Sequence, residues 1–144
     1  MFGSEIEKMV AETIVKKSAD AIVGTDRDGC INFWNAGCER IFGYDANFAI
    51  GSTLDIIIPA NLRARHWEGW QKTIATGESR YGAGDLLSVP AVSSNGTKIS
   101  VEFTIAMIHD DDGELCGLVA TIRDVTEKFS QMKELRKQLA ALST

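Results

Sequence analysis

The chain has 144 residues, of which 44% are hydrophobic and 24% charged, with a formal net charge of −5 at pH 7. This length is typical of one domain with a core of its own, and the negative charge argues against nucleic acid as a direct partner, because phosphate contacts need a basic surface. No apolar run approaches the roughly 20 residues of a membrane span and no signal-peptide pattern is present, so we predict a cytoplasmic protein without a membrane span.

The first half of the chain predicts a helix, a strand hairpin and further helices, in that order. Apolar residues recur at helical spacing over 4–19: Ile6, Met9, Val10, Ile14 and Val15. The segments that follow are a strand at 21–25, a tight turn at 26–29, a second strand at 30–34, short helices at 35–42 and 45–50, and a longer helix at 60–75. Gly43, Gly51 and Gly77 follow the three helices and are expected to end them.

The second half predicts three strands and a final helix. A strand is expected over 80–92, and Pro90 within it indicates an edge of the sheet, because proline cannot donate to a central ladder. Apolar residues then alternate with others in a hairpin over 97–123: Ile99, Val101, Phe103, Ile105 and Met107, followed by Cys116, Leu118, Ala120 and Ile122. A turn at Asp110–Gly113 joins the two strands of this hairpin.

This order of elements predicts an α+β fold. Runs of strands separated from runs of helices are typical of an antiparallel sheet, here of five strands, with short helices over one face and a helix at each terminus. We expect a cavity between the sheet and the short helices. The chain is predicted to divide into an N-terminal capping or dimerisation helix at 1–19, a core at 20–124 and a C-terminal helix at 125–144. A sheet that passes its last strand directly to an exposed helix is typical of a sensor.

Cys30, Cys38 and Cys116 are odd in number, widely separated and without a Cys-x-x-Cys motif. A disulfide or a zinc site is therefore not expected, and we predict reduced, buried thiols. No set of nucleophile, base and orienting acid has sequence support, so no enzymatic activity is expected. The acidic run Asp110–Asp112 lacks the alternate spacing of a calcium loop and, with the neighbouring His109, is expected to be solvated.

Several sequence blocks, in order over residues 14–129, resemble the PAS family. They are Asp20-Ala21-Ile22-Val23, Asp28-Gly29 and Ile31-Asn32-Phe33-Trp34-Asn35 in the first hairpin, Cys38-Glu39-Arg40-Ile41-Phe42-Gly43-Tyr44 and Ile50-Gly51 in the helices after it, and Asn95-Gly96-Thr97 and Arg123-Asp124-Val125-Thr126-Glu127 around the last hairpin. The resemblance implies a sensory or interaction module that is often dimeric and is usually joined to an output domain. It implies a histidine kinase or a transcription regulator as the kind of partner.

His66 is the candidate functional residue of the longer helix. It is expected to share one helix face with Leu62, Gly69, Trp70 and Thr73, since these positions lie three, four or seven residues away. If that face points into the cavity, the neutral imidazole can bind haem iron through Nε2. Gly69 would then leave room for a flat ligand.

The same region resembles the haem-binding PAS domains of bacterial oxygen sensors, which carry their proximal histidine on this helix after a proline, as in Pro59 to His66. The resemblance implies haem b, with His66 as the axial ligand of the iron. The wall of the cavity would include four apolar residues of the last hairpin: Ile99, Phe103, Ile105 and Ile122. The chain departs from that pattern at Gly82-Ala83-Gly84-Asp85, which stands where those sensors place a distal arginine or methionine.

Other interpretations of these residues remain open. A single histidine on an apolar helix face is more often a hydrogen-bonded core residue than a metal ligand. A photochemical flavin adduct is not expected, because Cys38 lies too early in the chain and is expected to pack as a small hydrophobe. A non-covalent flavin or a small metabolite is a further alternative. Trp67 and Trp70 could stack on a planar ligand or fill the core, and Trp34 is expected in the core.

The C-terminal helix has the a/d spacing of a short coiled coil: Met132, Leu135, Leu139 and Leu142, with Val125 in phase one heptad earlier. Because two heptads alone are marginal, we predict a parallel homodimer in which the N-terminal helix also takes part. The alternative is that both terminal helices fold back onto their own sheet. For the whole domain, the alternative to a ligand sensor is a cofactor-free dimerisation or protein-interaction module.

Overall fold

The computed structural model of the chain describes residues 2–78 and 87–143. Its helices and strands are α1 (Phe2–Lys17), β1 (Ala21–Asp26), β2 (Ile31–Trp34), α2 (Ala36–Phe42), α3 (Ala46–Ala49), α4 (Arg63–Thr76), β3 (Leu87–Val92), β4 (Lys98–His109), β5 (Leu115–Asp124) and α5 (Thr126–Leu142). Two short 3₁₀ helices, Leu54–Ile57 and Ala60–Leu62, lie between α3 and α4. The order of elements is the predicted one.

The five strands form one antiparallel sheet in the order β2-β1-β5-β4-β3. The predicted α+β fold is therefore confirmed. The first and last strands of the chain pair in the middle of the sheet, with Ala21 opposite Ile122 and Asp26 opposite Gly117. β3 lies at one edge, as Pro90 predicted, since a strand there needs hydrogen-bond donors on one side only.

The core lies between the short helices and one face of the sheet, which we call the inner face. Because successive strand residues point to opposite faces, the register places Val23, Val101 and Ile122 together on this face. Buried residues of the helical segments pack over them: Cys38, Phe42, Ala49 and Ile57. Trp34 is a core residue, as predicted, and its ring lies 5.7 Å from that of Phe42. Burial of one large apolar side chain of this kind contributes about 1.5–3 kcal/mol.

Asn35 joins the first hairpin to α2 through three hydrogen bonds. Its Oδ1 accepts from the amides of Ile22 at 2.9 Å and Cys38 at 3.0 Å, and its Nδ2 donates to the carbonyl oxygen of Asp20 at 3.1 Å. Asn35 is therefore the N-cap of α2 as well as a buried connection to β1. Gly43 ends α2 in the left-handed conformation, with φ of 83°, as its position predicted.

The chain leaves the sheet through a hydrogen-bonded connection between β4 and the start of α5. The amide of Val125 donates to the carbonyl oxygen of Ser100 at 2.8 Å, and the amide of Ser100 donates to Oγ1 of Thr126 at 3.0 Å. Oδ1 of Asp124 accepts from the amide and the hydroxyl of Thr126 at 3.0 and 2.5 Å. α5 is therefore attached to β4 at its first residue, directly after β5 ends.

Some local expectations differ from the structure. Residues 60–62 form a 3₁₀ helix and α4 begins at Arg63, whose side chain donates to the carbonyl oxygens of Ile58 at 3.1 Å and Asp55 at 3.2 Å and so stabilises the tighter turn before it. The strand predicted over 80–92 is described from Leu87 onward, and the remainder of that prediction lies outside the described residues. Cys116 is exposed, because it lies at the start of β5 next to a solvated turn, so the prediction that all three thiols are buried is wrong.

A helix that crosses a membrane must be both long and apolar. Within residues 2–78 and 87–143, none of the helices is long and apolar enough to cross a membrane. The bounds of α1 and α5 are compatible with the predicted segments 1–19 and 125–144, and the assignment of these segments to capping and signalling stays a prediction.

Candidate functional site

The candidate site is built on the buried face of α4, which carries His66, Trp67 and Trp70. Trp70 is 8% exposed and donates its indole N–H to the carbonyl oxygen of Arg27 at 2.7 Å. Trp67 donates its indole N–H to Oδ1 of Asp55, also at 2.7 Å. In both tryptophans the apolar ring is packed while the indole N–H has a hydrogen-bond acceptor. Together they hold α4 against the β1–β2 turn and the first 3₁₀ helix.

The β1–β2 turn, residues 26–29, is shaped to receive α4. Oδ1 of Asp26 accepts hydrogen bonds from the amides of Asp28 at 2.9 Å and Cys30 at 3.0 Å, which fixes the turn locally. Gly29 has a φ of 82°, and a Cβ at this position would overlap the ring of Trp67. Both the backbone conformation and the neighbouring ring therefore require glycine here.

His66 packs against both indoles, which also contact each other with ring centroids 5.6 Å apart. Its ring centroid is 4.5 Å from that of Trp67 and 5.8 Å from that of Trp70. Nδ1 is buried without a hydrogen-bond partner, and no described residue hydrogen-bonds Nε2. Burial lowers the pKa of His66, and the negative charge of Asp55 opposes this shift only in part. The imidazole is therefore neutral at pH 7.

The residues predicted to wall a cofactor cavity fall into two groups on the inner face. Ile99 and Ile122 belong to the packed core. Phe103 and Ile105 are half-buried, and Phe103 packs against that core. The ring contacts of His66 are with the tryptophans of its own helix, and among the described residues no ring contact joins it to Phe103. Their part in binding a cofactor stays a prediction.

The structure places Leu62 and Gly69 away from the centre of the buried face of α4. Leu62 is half-buried and directly precedes the helix. Gly69 is exposed, and a Cβ there would meet no atom within 4 Å. The prediction that Gly69 shares the inward face of His66 is wrong, because that face is centred on Trp70 and successive residues are rotated by about 100°. Any effect of Gly69 on a ligand stays a prediction.

Two of the depressions on the surface of the described residues do not touch His66. One lies along α1 and is lined by Met9, Glu12, Thr13, Lys16 and Lys17. The other lies on the outer face of the sheet and is lined by Glu102, Thr104, Thr121 and Arg123. The cavity predicted between the sheet and α4 is not one of these two. Residues 79–86, which follow α4 closely in the chain, lie outside the described residues.

Other candidate groups have structural roles. Burial raises the pKa of the Cys38 thiol to about 11, and its Sγ donates to the carbonyl oxygen of Ile22 at 3.2 Å, so Cys38 is a protonated, packed side chain as predicted.

Oδ1 of Asp110 accepts from the amides of Asp112 and Glu114, which makes the acidic run a turn, as predicted. His109 is exposed, also as predicted. Within the described ranges, no group of three or more His, Cys, Asp or Glu side chains could hold a metal ion.

The terminal helices expose their apolar faces. The exposed fractions are 44–62% for four residues of α1 and 45–84% for four residues of α5: Ile6, Met9, Val10 and Ile14, and Met132, Leu135, Leu139 and Leu142. The alternative in which these helices fold back onto their own sheet is therefore wrong for the described chain. The predicted homodimer is a separate question, since a partner chain would be needed to show it.

The family is shown by a comparison with known sequences. The family model described as the PAS fold matches residues 11–125, so the chain belongs to the PAS family. Domains of this family are typically sensory modules of signal-transduction proteins, and the prediction of this family is confirmed.

Two relatives carry names that describe sensors. The chain is 26% identical over 112 residues to the oxygen sensor protein DosP of Escherichia coli K12, a match that covers 78% of this chain and 14% of DosP. It is 24% identical over 132 residues to the sensor protein FixL of Bradyrhizobium diazoefficiens, covering 91% of this chain and 26% of FixL. This chain therefore spans about a quarter or less of the length of these relatives.

Solved structures agree on the fold. The crystal structure of the PAS domain of a protein from Colwellia psychrerythraea matches with a TM-score of 0.70 at 22% identity, covering 85% of this chain and 98% of that chain. At this level of identity the likeness shows the fold alone.

The sequence indicated α4 and His66 but not the residues that hold this helix in place. The dipeptide Asp28-Gly29 predicted a turn, and Trp67 and Trp70 were expected to stack or to fill the core. The sequence gives no indication that the β1–β2 turn contacts these two tryptophans. Asp55, which accepts from Trp67, carries no sequence signal of its own.

Proposed function

We propose that this domain senses a small ligand or cofactor at His66 and relays its state through α5 to a partner or output domain, such as a histidine kinase or a transcription regulator. The observation that carries the proposal is the neutral imidazole packed against two indoles, with neither nitrogen hydrogen-bonded by a described residue. Such an imidazole can act as a ligand without first losing a proton or a protein partner. Perturbed, unpaired groups of this kind are concentrated at functional sites.

Haem b is the most specific ligand that we propose, with Nε2 of His66 as the axial ligand of the iron. The donor fits, because haem iron takes a neutral imidazole. Phe103 and Ile105 would contribute an apolar wall, since both are half-buried on the inner face, and Trp70 of α4 and Leu62 just before this helix would flank the group. When bound, haem would supply an iron position open to a diatomic gas. The oxygen-sensor name of DosP supports a gas ligand.

The unpaired Nδ1 of His66 sets an expectation for the strength of this site. Histidine ligands of metals almost always donate the other ring N–H to a carboxylate, a carbonyl or water, and loss of that partner typically lowers affinity by about 10- to 100-fold. Nδ1 of His66 has no such partner among the described residues. We therefore expect the ring to be oriented by the packing of Trp67 and Trp70, and haem to bind more weakly than at a hydrogen-bonded histidine.

Absorbance of the purified chain tests haem binding, after expression with ample haem and after titration with haemin. We expect a Soret band in the wild-type protein and its loss in His66→Ala, because the substitution removes the iron ligand. His109→Ala is the matched control, since His109 is the only other histidine of the sequence and is exposed, and it should keep the band. A colourless wild-type protein that takes up no haemin, or a band that survives His66→Ala, contradicts the haem assignment.

We propose that the output passes through a parallel homodimer formed by α1 and α5. The support is the exposure of both apolar faces in a single chain, since burial of each large side chain would contribute about 1.5–3 kcal/mol. A second copy offers the same two faces in a symmetric arrangement. The spacing of the apolar residues on α5 also matches the seam of a two-stranded coiled coil.

Sedimentation or light scattering tests the homodimer. We expect the wild-type chain to have twice its mass of 15.7 kDa, and Leu139→Lys to be monomeric at the same concentration, because a charge would replace an apolar side chain in the seam. Ser130→Lys, which adds the same charge on the opposite side of α5, should remain dimeric. Monomer masses for both the intact chain and a version ending at Thr126 end the proposal.

A cofactor-free interaction module is the second candidate function. It is favoured by the close packing of Ile99 and Ile122 in the core. In this case the domain would dimerise or bind a signalling protein without a ligand. The haemin titration distinguishes the two functions, since only the first predicts uptake that depends on His66.

A further inference from the structure

We propose that the β1–β2 turn transmits the state of α4 to β5, and that Trp70 is the residue that couples them. This inference rests on the proposed function, because it describes how an event at His66 would reach the exit helix. Its support is a continuous series of contacts that runs from α4 to the turn, from the turn to β5, and from β5 to Val125.

The first step joins α4 to the main chain of the turn. The indole N–H of Trp70 donates to the carbonyl oxygen of Arg27 at 2.7 Å, so Trp70 cannot move without moving the turn or breaking this part-buried bond. The ring of Trp67 lies against Gly29, where no side chain could be accommodated. Since the imidazole of His66 packs against both rings, a ligand that displaces it also displaces the groups that hold the turn.

The second step joins the turn to the first half of β5. Asp26 is opposite Gly117, and a Cβ at Gly117 would overlap the carbonyl oxygen of Thr25, so β1 and β5 approach more closely than a side chain would allow. Nη1 of Arg27 also donates to the carbonyl oxygen of Leu115 at 3.4 Å. Because closely packed elements shift between discrete arrangements, a displacement of the turn moves the start of β5 as well.

The last step follows β5 to the exit. β5 pairs with β1 from Gly117 to Ile122 and ends at the connection in which Val125 donates to Ser100. A direct route from α4 across the inner face has less support. Among the described residues, the side chains of α4 donate hydrogen bonds outside the helix to Arg27, Asp55, Ile58 and Glu78, and none donates to β4 or β5.

The experiment is ¹H–¹⁵N NMR on the full chain without added ligand, with His66→Ala as the perturbation. We expect His66→Ala to shift the amide signals of the turn, of Leu115–Gly117 and of Val125. Trp70→Phe keeps an aromatic ring but lacks the N–H donor, and in this background the shifts in β5 and at Val125 should be lost. Amide exchange in the turn should become about five- to tenfold faster in Trp70→Phe, as expected for the loss of one part-buried hydrogen bond.

The matched control is Asp55→Ala, which removes the partner of the other indole N–H and leaves the bond between Trp70 and Arg27 in place. In the Asp55→Ala background, His66→Ala should still shift the amide signals of β5. The proposal is overturned if β5 responds equally in Trp70→Phe and wild-type backgrounds, or if β5 of the wild-type chain does not respond at all. Trp70→Met, which fills the space without an N–H, provides the same test if circular dichroism shows that Trp70→Phe is unfolded.

The haemin titration is independent of this result. A chain that takes up no haemin but transmits the effect of His66→Ala to β5 would contradict the haem assignment and support the coupling. A chain that binds haemin through His66 but shows no response in β5 would support the haem assignment and contradict the coupling.

Discussion

Gly117→Ala is expected to destabilise the domain by about 3 kcal/mol or more, because overpacking at a site that cannot yield is among the most damaging single changes. The added Cβ would overlap the carbonyl oxygen of Thr25. β1 and β5 form the central pair of the sheet, so they cannot separate without losing part of their hydrogen-bonded ladder. Urea unfolding followed by circular dichroism should show a lower midpoint with an unchanged slope.

Gly69→Ala is the matched control for this prediction. The substitution is the same, but Gly69 is exposed on α4 and a Cβ there would meet no atom within 4 Å. Replacing a helical glycine by alanine should stabilise the chain by up to about 1 kcal/mol. Equal midpoints for the two variants would contradict the close approach of β1 and β5. Unchanged haemin uptake in Gly69→Ala would also end the prediction that Gly69 leaves room for a flat ligand.

Asn35→Ala is expected to lower the free energy of unfolding by about 3–4 kcal/mol, since each of its three hydrogen bonds, two buried and one part-buried, contributes roughly 1–1.5 kcal/mol. The substitution leaves the amides of Ile22 and Cys38 and the carbonyl oxygen of Asp20 without their partner. These groups lie where β1, β2 and α2 meet, so the effect is not confined to one helix end. Thermal unfolding of the two proteins measures the difference.

Asp45→Ala separates this effect from ordinary loss of a helix cap. Asp45 caps α3 through one exposed bond, in which its Oδ1 accepts from the amide of Phe48 at 2.9 Å. Its removal should cost about 1 kcal/mol. A loss in Asn35→Ala no larger than that in Asp45→Ala would show that the bonds from Asn35 to Ile22 and Asp20 contribute little.

The fold could be predicted from the sequence because its signals are local. The alternation along 98–109 specified a strand with one buried face, and Pro90 placed its neighbour at an edge. Gly43 predicted the end of α2, since only glycine adopts the left-handed conformation there without strain. Such patterns depend on a few neighbouring residues, so they can be read without knowledge of the tertiary structure.

The candidate site could be predicted only in part, because its geometry depends on distant contacts. Helical spacing placed His66 and Trp70 on one face, but the orientation of that face is set by the bond from Trp70 to Arg27, 43 residues earlier. The same orientation puts Gly69 in solvent, contrary to the prediction. The spacing on α5 likewise predicted an apolar face, of which Leu139 is 67% exposed, and spacing alone does not identify what covers it.

The attachment of α5 at Ser100 has a geometric consequence. A helix of 17 residues is about 25 Å long at roughly 1.5 Å per residue. The first residue of this helix is fixed to the start of β4, at the end of the last hairpin that lies away from its turn. The helix is therefore a lever arm with its pivot at that point. A tilt of roughly 5° at the pivot moves the far end, near Leu142, by roughly 2 Å. A rearrangement of the sheet too small to disturb its own hydrogen bonds would therefore be magnified at the tip of the helix.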